Sequence, residues 1–328
     1  MSAMPEHPRA EAQTASAVLM IRPRCFYSNP QTAPSNAFQA AIGVGGAALL
    51  ARALAEFDAA ADALRAAGVD VLVRDAADGQ DLPDALFPNN WLSTHADATA
   101  VLYPMLAPNR RAERSPAVLD WLQAQHGFRL ARTLDLSPLE VQGLIVEGTG
   151  SLVLDRRRRI AYACRSARSH PDAITHACDA LGYQAEVFSA SDPQGRPVYH
   201  TNVMLSVGRR VAVACLASLP DPGERERLRQ SLEAGRAVVV EIDPGQMADL
   251  CANVLELASA DGPVLAVSTR AWRAFNAAQR RVLERELRPV PVSIDTIEHH
   301  AGGGIRCMLA ELHLPRAGHH YRTPPARR

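Results

Sequence analysis

Two short apolar segments, a helical stretch and a third apolar segment follow one another repeatedly along this chain, and that recurrence limits its architecture more than any other property. A strand-like Ala17–Arg22 leads through a Pro/Asn/Gly-containing loop to a helical pattern over Ala47–Ala67, where Leu49, Leu50, Leu54, Phe57 and Leu64 keep near-helical spacing. A strand follows at Val69–Arg74. Apolar segments at Leu86–Thr94 and Thr99–Met105 then flank the turn-forming Ala96-Asp97, and a helix is predicted from Ser115 to Gln125. The same order recurs with Leu144–Leu154, Ile160–Arg165, a helix at Pro171–Leu181 and a strand at Ala185–Ser189. It recurs again with Val198–Val207, Val211–Ala217, a helix at Glu224–Glu233 and a strand at Ala237–Ile242. Asn253–Leu257 and Val264–Ser268 precede a helix at Trp272–Leu287, and Pro291–Ile294 leads to a last segment, Ile305–Leu314.

Aligning the hairpin starts on Asn90, Gly150, Asn202, Asn253 and Cys307 gives spacings of 60, 52, 51 and 54 residues. Five similar units account for this. None can bury its apolar face alone, so they are expected to close on one another around a shared axis, with the start of each hairpin facing a common centre. A length of 328 residues would otherwise suggest two domains. The repeat predicts instead one catalytic domain over residues 17–315, with a disordered N-terminal tail at 1–16 and a flexible C-terminal tail at 316–328.

Composition removes several chemistries. The 35 basic residues balance 35 acidic ones, and every basic residue is arginine. Without lysine there is no Schiff base to pyridoxal phosphate or to a carbonyl substrate, and no phosphate-loop lysine. Zero net charge gives no long-range attraction for a polyanion, so no nucleic-acid partner is expected. The longest apolar run, Val211 to Leu219, is too short to cross a bilayer, and residues 1–17 lack a signal-peptide core. Cys25, Cys164, Cys178, Cys215, Cys251 and Cys307 form no C-x-x-C pair, which fits neither a zinc framework nor a disulfide scaffold. A cytoplasmic, reduced protein is expected.

Other conspicuous residues have bland readings. Arg156–Arg159 sits where a hairpin must turn and reads as a solvated turn. His299-His300 reads as a strand pair whose side chains point to opposite faces, and His319-His320 lies in a Pro/Arg-rich tail, so neither reads as a metal site. Five of the cysteines read as small buried apolar residues. Gly302-Gly303-Gly304 matters because it immediately precedes Ile305-Arg306-Cys307.

The hairpin starts carry unlike polar residues: Asn89-Asn90, Glu147, His200 with Asn202, Asn253, and Cys307. A thiol, an imidazole and a carboxylate are the parts needed to attack a trigonal carbon and pass a proton to a leaving amine. A structural role for the same residues is the alternative that the sequence leaves open.

At these positions the chain resembles the guanidino-group-modifying superfamily of arginine deiminase, dimethylarginine dimethylaminohydrolase and the amidinotransferases. The resemblance implies a five-bladed pseudo-symmetric α/β propeller of ββαβ-type units, the pentein fold. It runs from Ala17 to Leu314 and rests on Ile21-Arg22-Pro23, Asn29-Pro30, Ser35-Asn36-Ala37-Phe38-Gln39, Phe87-Pro88-Asn89-Asn90-Trp91, Glu147-Gly148-Thr149-Gly150-Ser151, Tyr199-His200-Thr201-Asn202 and His299–Cys307. These segments are similar to the subgroup named citrulline-utilization hydrolase. The resemblance implies that Cys307 is the nucleophile, His200 the general acid/base and Glu147 the orienting carboxylate. It implies further that Arg168, in Ser166-Ala167-Arg168-Ser169, binds a substrate carboxylate, and that Phe87, Asn90 and Asn202 line the substrate.

Arginine-converting members place aspartates where this chain has Asn90 and Asn202. Losing two anions removes charge-assisted bonds from a desolvated guanidinium, each worth about 1.5–3 kcal/mol. A neutral urea group carries an acceptor as well as donors and suits carboxamides better. The expected activity is therefore cysteine-dependent hydrolysis of a ureido amino acid, citrulline to ornithine, carbon dioxide and ammonia. The alternatives are a guanidino deiminase, dimethylaminohydrolase or amidinotransferase and, in another class, a non-catalytic pentein binding protein. No cofactor and no metal are expected, the partner is a small amino-acid substrate, and homo-oligomerisation is left open.

Overall fold

Chain segments that alternate apolar strands with amphipathic helices fold here into five three-stranded sheets. The computed structural model describes residues 11–39, 45–236 and 238–316. The first sheet contains β1 (Ala17–Arg22) and β2 (Asp70–Asp75), which run parallel and are linked by the helix Ala47–Ala66. That helix buries Leu49, Ala53, Phe57, Ala60, Ala61 and Leu64 on one face, the spacing that made it legible.

The second sheet comprises β3 (Leu92–Thr94), β4 (Thr99–Leu102) and β5 (Arg132–Asp135). The third comprises β6 (Val153–Asp155), β7 (Ile160–Cys164) and β8 (Gln184–Phe188). The fourth comprises β9 (Leu205–Val207), β10 (Val211–Ala214) and β11 (Val238–Glu241), and the fifth β12 (Leu255–Leu257), β13 (Val264–Ser268) and β14 (Arg288–Val292). In each of these four, an antiparallel hairpin is followed by a helix and a parallel third strand. The middle strands are buried along their whole length, as expected of sheets covered on both faces. Pro289 and Pro291 are accommodated because β14 lies at the edge of its sheet.

The remaining blade closes the ring. A short β15 (Ala310–Glu311) pairs antiparallel with β1, Val18 opposite Glu311, so the two ends of the chain make the hairpin that the other blades make from adjacent segments. Ile305–Leu314 is thus not one strand: Ile305–Met308 forms a single 3-10 turn before β15. The helix expected over Trp272–Leu287 is also two helices, Thr269–Ala274 and Ala277–Glu286, because Asn276 caps the second with its side chain on the backbone N–H groups of Ala278 and Gln279.

Three further expectations are revised. Residues 11–16 are packed rather than belonging to a loose tail: Gln13 Nε2 donates to the carbonyls of Leu154 and Val207 at 2.9 Å each. Arg156 is not solvated; it is buried and donates to Glu11 Oε1 at 2.6 Å, and Tyr183 Oη donates to Glu11 Oε2 at 2.8 Å. Burial alone would raise the Glu11 carboxyl, but Arg156 and His95 hold it well below the usual carboxylate range. Removing one member of such a buried pair commonly costs about 3–5 kcal/mol. His299 and His300 lie on the helix Asp295–Ala301, not on a strand. Among the described residues no group of His, Cys, Asp and Glu is arranged to hold a metal. His319-His320 lies outside the described residues.

Candidate active site

A single helical turn precedes the first strand of a blade at Pro88–Asn90, Gly148–Ser151, Thr201–Val203 and Ile305–Met308. Asn90, Asn202 and Cys307 lie within these turns, and Glu147 and His200 immediately before them. The glycines of Glu147-Gly148-Thr149-Gly150 let two such turns interlock. Gly148 has φ +46°, and a Cβ there would stand 2.3 Å from the carbonyl oxygen of Asn89. A Cβ on Gly150 would stand 2.5 Å from Asn90 Nδ2 and 2.8 Å from His200 Nδ1.

The interlocked turns bring His200 Nε2 to 2.8 Å from Glu147 Oε2, with both residues buried. A carboxylate only accepts, so the imidazole carries its proton on Nε2. Burial, the largest influence, keeps His200 neutral and lowers it to about 4 despite the Glu147 bond. Burial opposes ionisation of Glu147 too, but Arg168, His200 and Arg110 outweigh it and hold the carboxylate below its usual range.

Cys307 is buried, with two amides on its sulfur: Asn253 Nδ2 at 3.3 Å and Asn202 Nδ2 at 3.5 Å. Asn253 Nδ2 also donates to the Asn202 carbonyl at 3.1 Å. A carbonyl accepts only, so Asn253 must present its N–H edge there and toward the sulfur. Burial pushes the Cys307 thiol up, and Asn253, Asn202 and Arg306 pull the other way. All three glycines before it serve packing: Gly302 has φ +67°, and a Cβ there would lie 2.6 Å from the backbone nitrogen of Gln39. A Cβ on Gly303 would lie 2.8 Å from Phe87 Cζ, and one on Gly304 would lie 2.7 Å from Asn253 Oδ1.

All seven residues singled out in the sequence gather here. Phe87, Asn90, Arg168, His200 and Cys307 line one cleft of about 270 Å³, with Glu147 behind His200 and Asn202 against Cys307. Arg168 places Nη1 3.6 Å from Glu147 Oε2, lies over the Tyr199 ring, and donates to Ser35 Oγ and the Thr32 carbonyl. A larger hollow of about 420 Å³ beside Trp91 and Glu113 contains no cysteine or histidine.

Sequence reasoning missed Arg110 and Asp84, both buried in the same cleft, and named Asn253 without giving it a role. Arg110 donates to Asn90 Oδ1 at 3.0 Å and to both carboxylate oxygens of Glu113 at 2.9 Å, and Asp84 Oδ2 lies 3.7 Å from it. Asp84 Oδ1 has no partner among the described residues. The i,i+3 spacing of Arg110 and Glu113 was a signal, but Asn109-Arg110-Arg111-Ala112-Glu113-Arg114 has the composition of a solvated surface.

A neutral imidazole tied to a carboxylate, beside a thiol held by amide donors, can deliver a nucleophile to a trigonal carbon and a proton to a departing amine. The profile of the family described as N,N-dimethylarginine dimethylhydrolase, eukaryotic, matches residues 22–314. The chain belongs to this family. As a member of it, the protein is a pentein hydrolase with a cysteine-dependent mechanism. The profile carries the dimethylarginine description, not the citrulline-utilization one that the motifs suggested.

Solved structures agree on the fold. ArgZ, an arginine dihydrolase from the ornithine–ammonia cycle in cyanobacteria, is similar in its apo form with TM-score 0.71 at 15% identity over 92% of this chain. The chain spans 41% of that protein's length. The N-terminal domain of ArgZ bound to product gives TM-score 0.66 at 18% identity, covering 91% of this chain and 99% of the domain. DDAH from Pseudomonas aeruginosa, a cysteine-to-serine variant complexed with citrulline, gives TM-score 0.62 at 14% identity, covering 91% of this chain and all of the other (100%). A search of curated proteins returned no match. Among the described residues, no helix is long and apolar enough to cross a membrane.

Proposed function

We propose that this hydrolase cleaves the ureido group of citrulline, releasing ornithine, carbon dioxide and ammonia. The observation that carries this reading is the pair of carboxamides, Asn90 and Asn202, at the two places beside the nucleophile and the acid/base where a guanidinium would need anions. Cys307 passes its thiol proton to His200 Nδ1 as its sulfur attacks the ureido carbon, and His200, held at Nε2 by Glu147, gives that proton to the departing ornithine amine. Water then attacks the S-carbamoyl group with His200 as base. Carbamate leaves the sulfur and breaks down to carbon dioxide and ammonia, so one water is consumed overall.

The amino-acid end of the substrate fits the other polar groups of the cleft. Asp84 Oδ1, without a partner among the described residues, suits an α-ammonium, and Arg168 suits an α-carboxylate. Six free cysteines suit a reducing compartment, and on that ground we place the enzyme in the cytoplasm.

A second reading is supported by the names of similar proteins, an arginine dihydrolase and a dimethylarginine hydrolase. In it, Glu147 supplies the negative charge for a guanidinium. Purified protein given citrulline, arginine and dimethylarginine separately, with ornithine, citrulline and ammonia measured, decides between them. Ornithine from citrulline is the expected result. Turnover of guanidino substrates alone would sink the ureido assignment.

A further inference from the structure

Asn90 can face the substrate in two ways, as an oxygen or as an N–H, and its neighbour Arg110 decides which. A guanidinium has donors and no acceptor. Arg110 Nη1 lies 3.0 Å from Asn90 Oδ1, and the flipped amide would set N–H against N–H. Asn90 Nδ2 is left buried and without a partner among the described residues. It faces the space above Gly150 that it shares with His200 Nδ1, since a Cβ built on Gly150 would touch both.

Arg110 is itself immobilised. It is buried, donates through Nε and Nη2 to the two oxygens of Glu113, and has Asp84 at 3.7 Å. It cannot lose its proton in this setting, so the orientation it imposes persists at any pH where the protein folds.

We infer that Arg110 is a positioning residue that sets substrate choice, by locking Asn90 with its N–H edge toward the group being cleaved. A urea oxygen accepts that N–H. A guanidinium in the same place offers only donors and is turned away, although the site holds Glu147 close by. This inference rests on the ureido reading above.

The experiment compares kcat/KM for citrulline and for arginine in the wild type and in the double variant Arg110→Gln/Glu113→Gln, which removes the obligate donor together with the charge of the carboxylate it binds through two bonds. A carboxamide in place of the guanidinium donates or accepts, so Asn90 is free to turn its oxygen outward. The ratio of citrulline to arginine is expected to fall at least tenfold. Equal losses on both substrates would mean that Arg110 serves a part common to both, and would overturn the inference while leaving the ureido reading intact. A wild type inactive on citrulline would overturn both.

Should the double variant not fold, the amide is read directly in Cys307→Ser. The Asn90 side-chain NH2 resonance, assigned by its loss in Asn90→Asp, is expected to shift on titration with citrulline and not with arginine. Equal shifts, or none with citrulline, would also overturn the inference.

Discussion

Glu147 Oε2 accepts the Nε2 proton of His200 at 2.8 Å across a sequence separation of 53 residues, and this bond joins the third blade to the fourth. It fixes the imidazole tautomer and keeps the carboxylate ionised. Glu147→Gln keeps the shape and removes the charge. Its kcat is expected to fall by about 10²–10⁴, the range for loss of positioned acid–base catalysis, with less change in KM, as read in steady-state assays.

The same pair predicts acid sensitivity. His200 is lowered from 6.5 to about 4 in the folded protein, so the unfolded chain binds the extra proton first, and stability declines as pH falls from 6.5 through 4. Glu147 is lowered from 4.5 to about 2, so its contribution is present above 4.5 and is lost toward 2. Urea midpoints measured across this window are expected to fall with pH. His200→Gln should flatten the upper half of the decline; an unchanged slope there would show that other groups cause it.

Cys307→Ser is expected to abolish turnover with the fold intact, whereas Cys25→Ser and Cys251→Ser retain it. Burial raises the Cys307 thiol, so alkylation near neutral pH should be slow and should rise with pH, with a midpoint above that of an ordinary thiol. Asn253→Ala removes a donor from the thiolate and should push that midpoint higher. A midpoint unmoved by Asn253→Ala would leave Asn253 as a packing residue for Gly304.

Replacing Asn90 and Asn202 together with aspartate adds two acceptors at nearly constant volume. Citrulline then loses hydrogen bonds, at about 1–3 kcal/mol per unmatched buried group, and arginine gains. Because Arg110 adjoins residue 90, the new carboxylate there should stay ionised. The kcat/KM ratio is expected to move toward arginine, by tenfold or more. A folded double variant that keeps the wild-type ratio from neutral to mildly alkaline pH would refute the neutral-substrate assignment.

Arg168 has its Nε and Nη2 engaged by Ser35 and Thr32, which leaves Nη1 for the cleft rather than a free two-pronged edge. Arg168→Lys loses both anchors, and KM for citrulline should rise about 10- to 100-fold, in line with one charge-assisted bond. A substrate analogue lacking the α-carboxylate should respond far less. If it is turned over equally well by both forms, and citrulline is too, Arg168 is structural.

The five-unit repeat and the ββαβ order were legible in the sequence, because strand alternation, helical spacing and glycine-bearing turns are local patterns, whereas Phe87 and Arg168 were singled out only by the family resemblance. Shared position at the head of a hairpin was enough to bring Asn90, Glu147, His200, Asn202 and Cys307 together, since pseudo-symmetric blades place equivalent positions around one centre. What the tertiary structure decided was pairing at long range. Arg156 looks like its solvated neighbours until Glu11, 145 residues away in sequence, meets it in the interior. Arg110 looks like surface charge until Glu113, Asp84 and Asn90 enclose it. Closure of the ring by β15 on β1 likewise joins two segments that no periodicity connects. A charged side chain carries no local mark of its burial; the desolvated partner that makes burial tolerable is chosen only when the chain has folded.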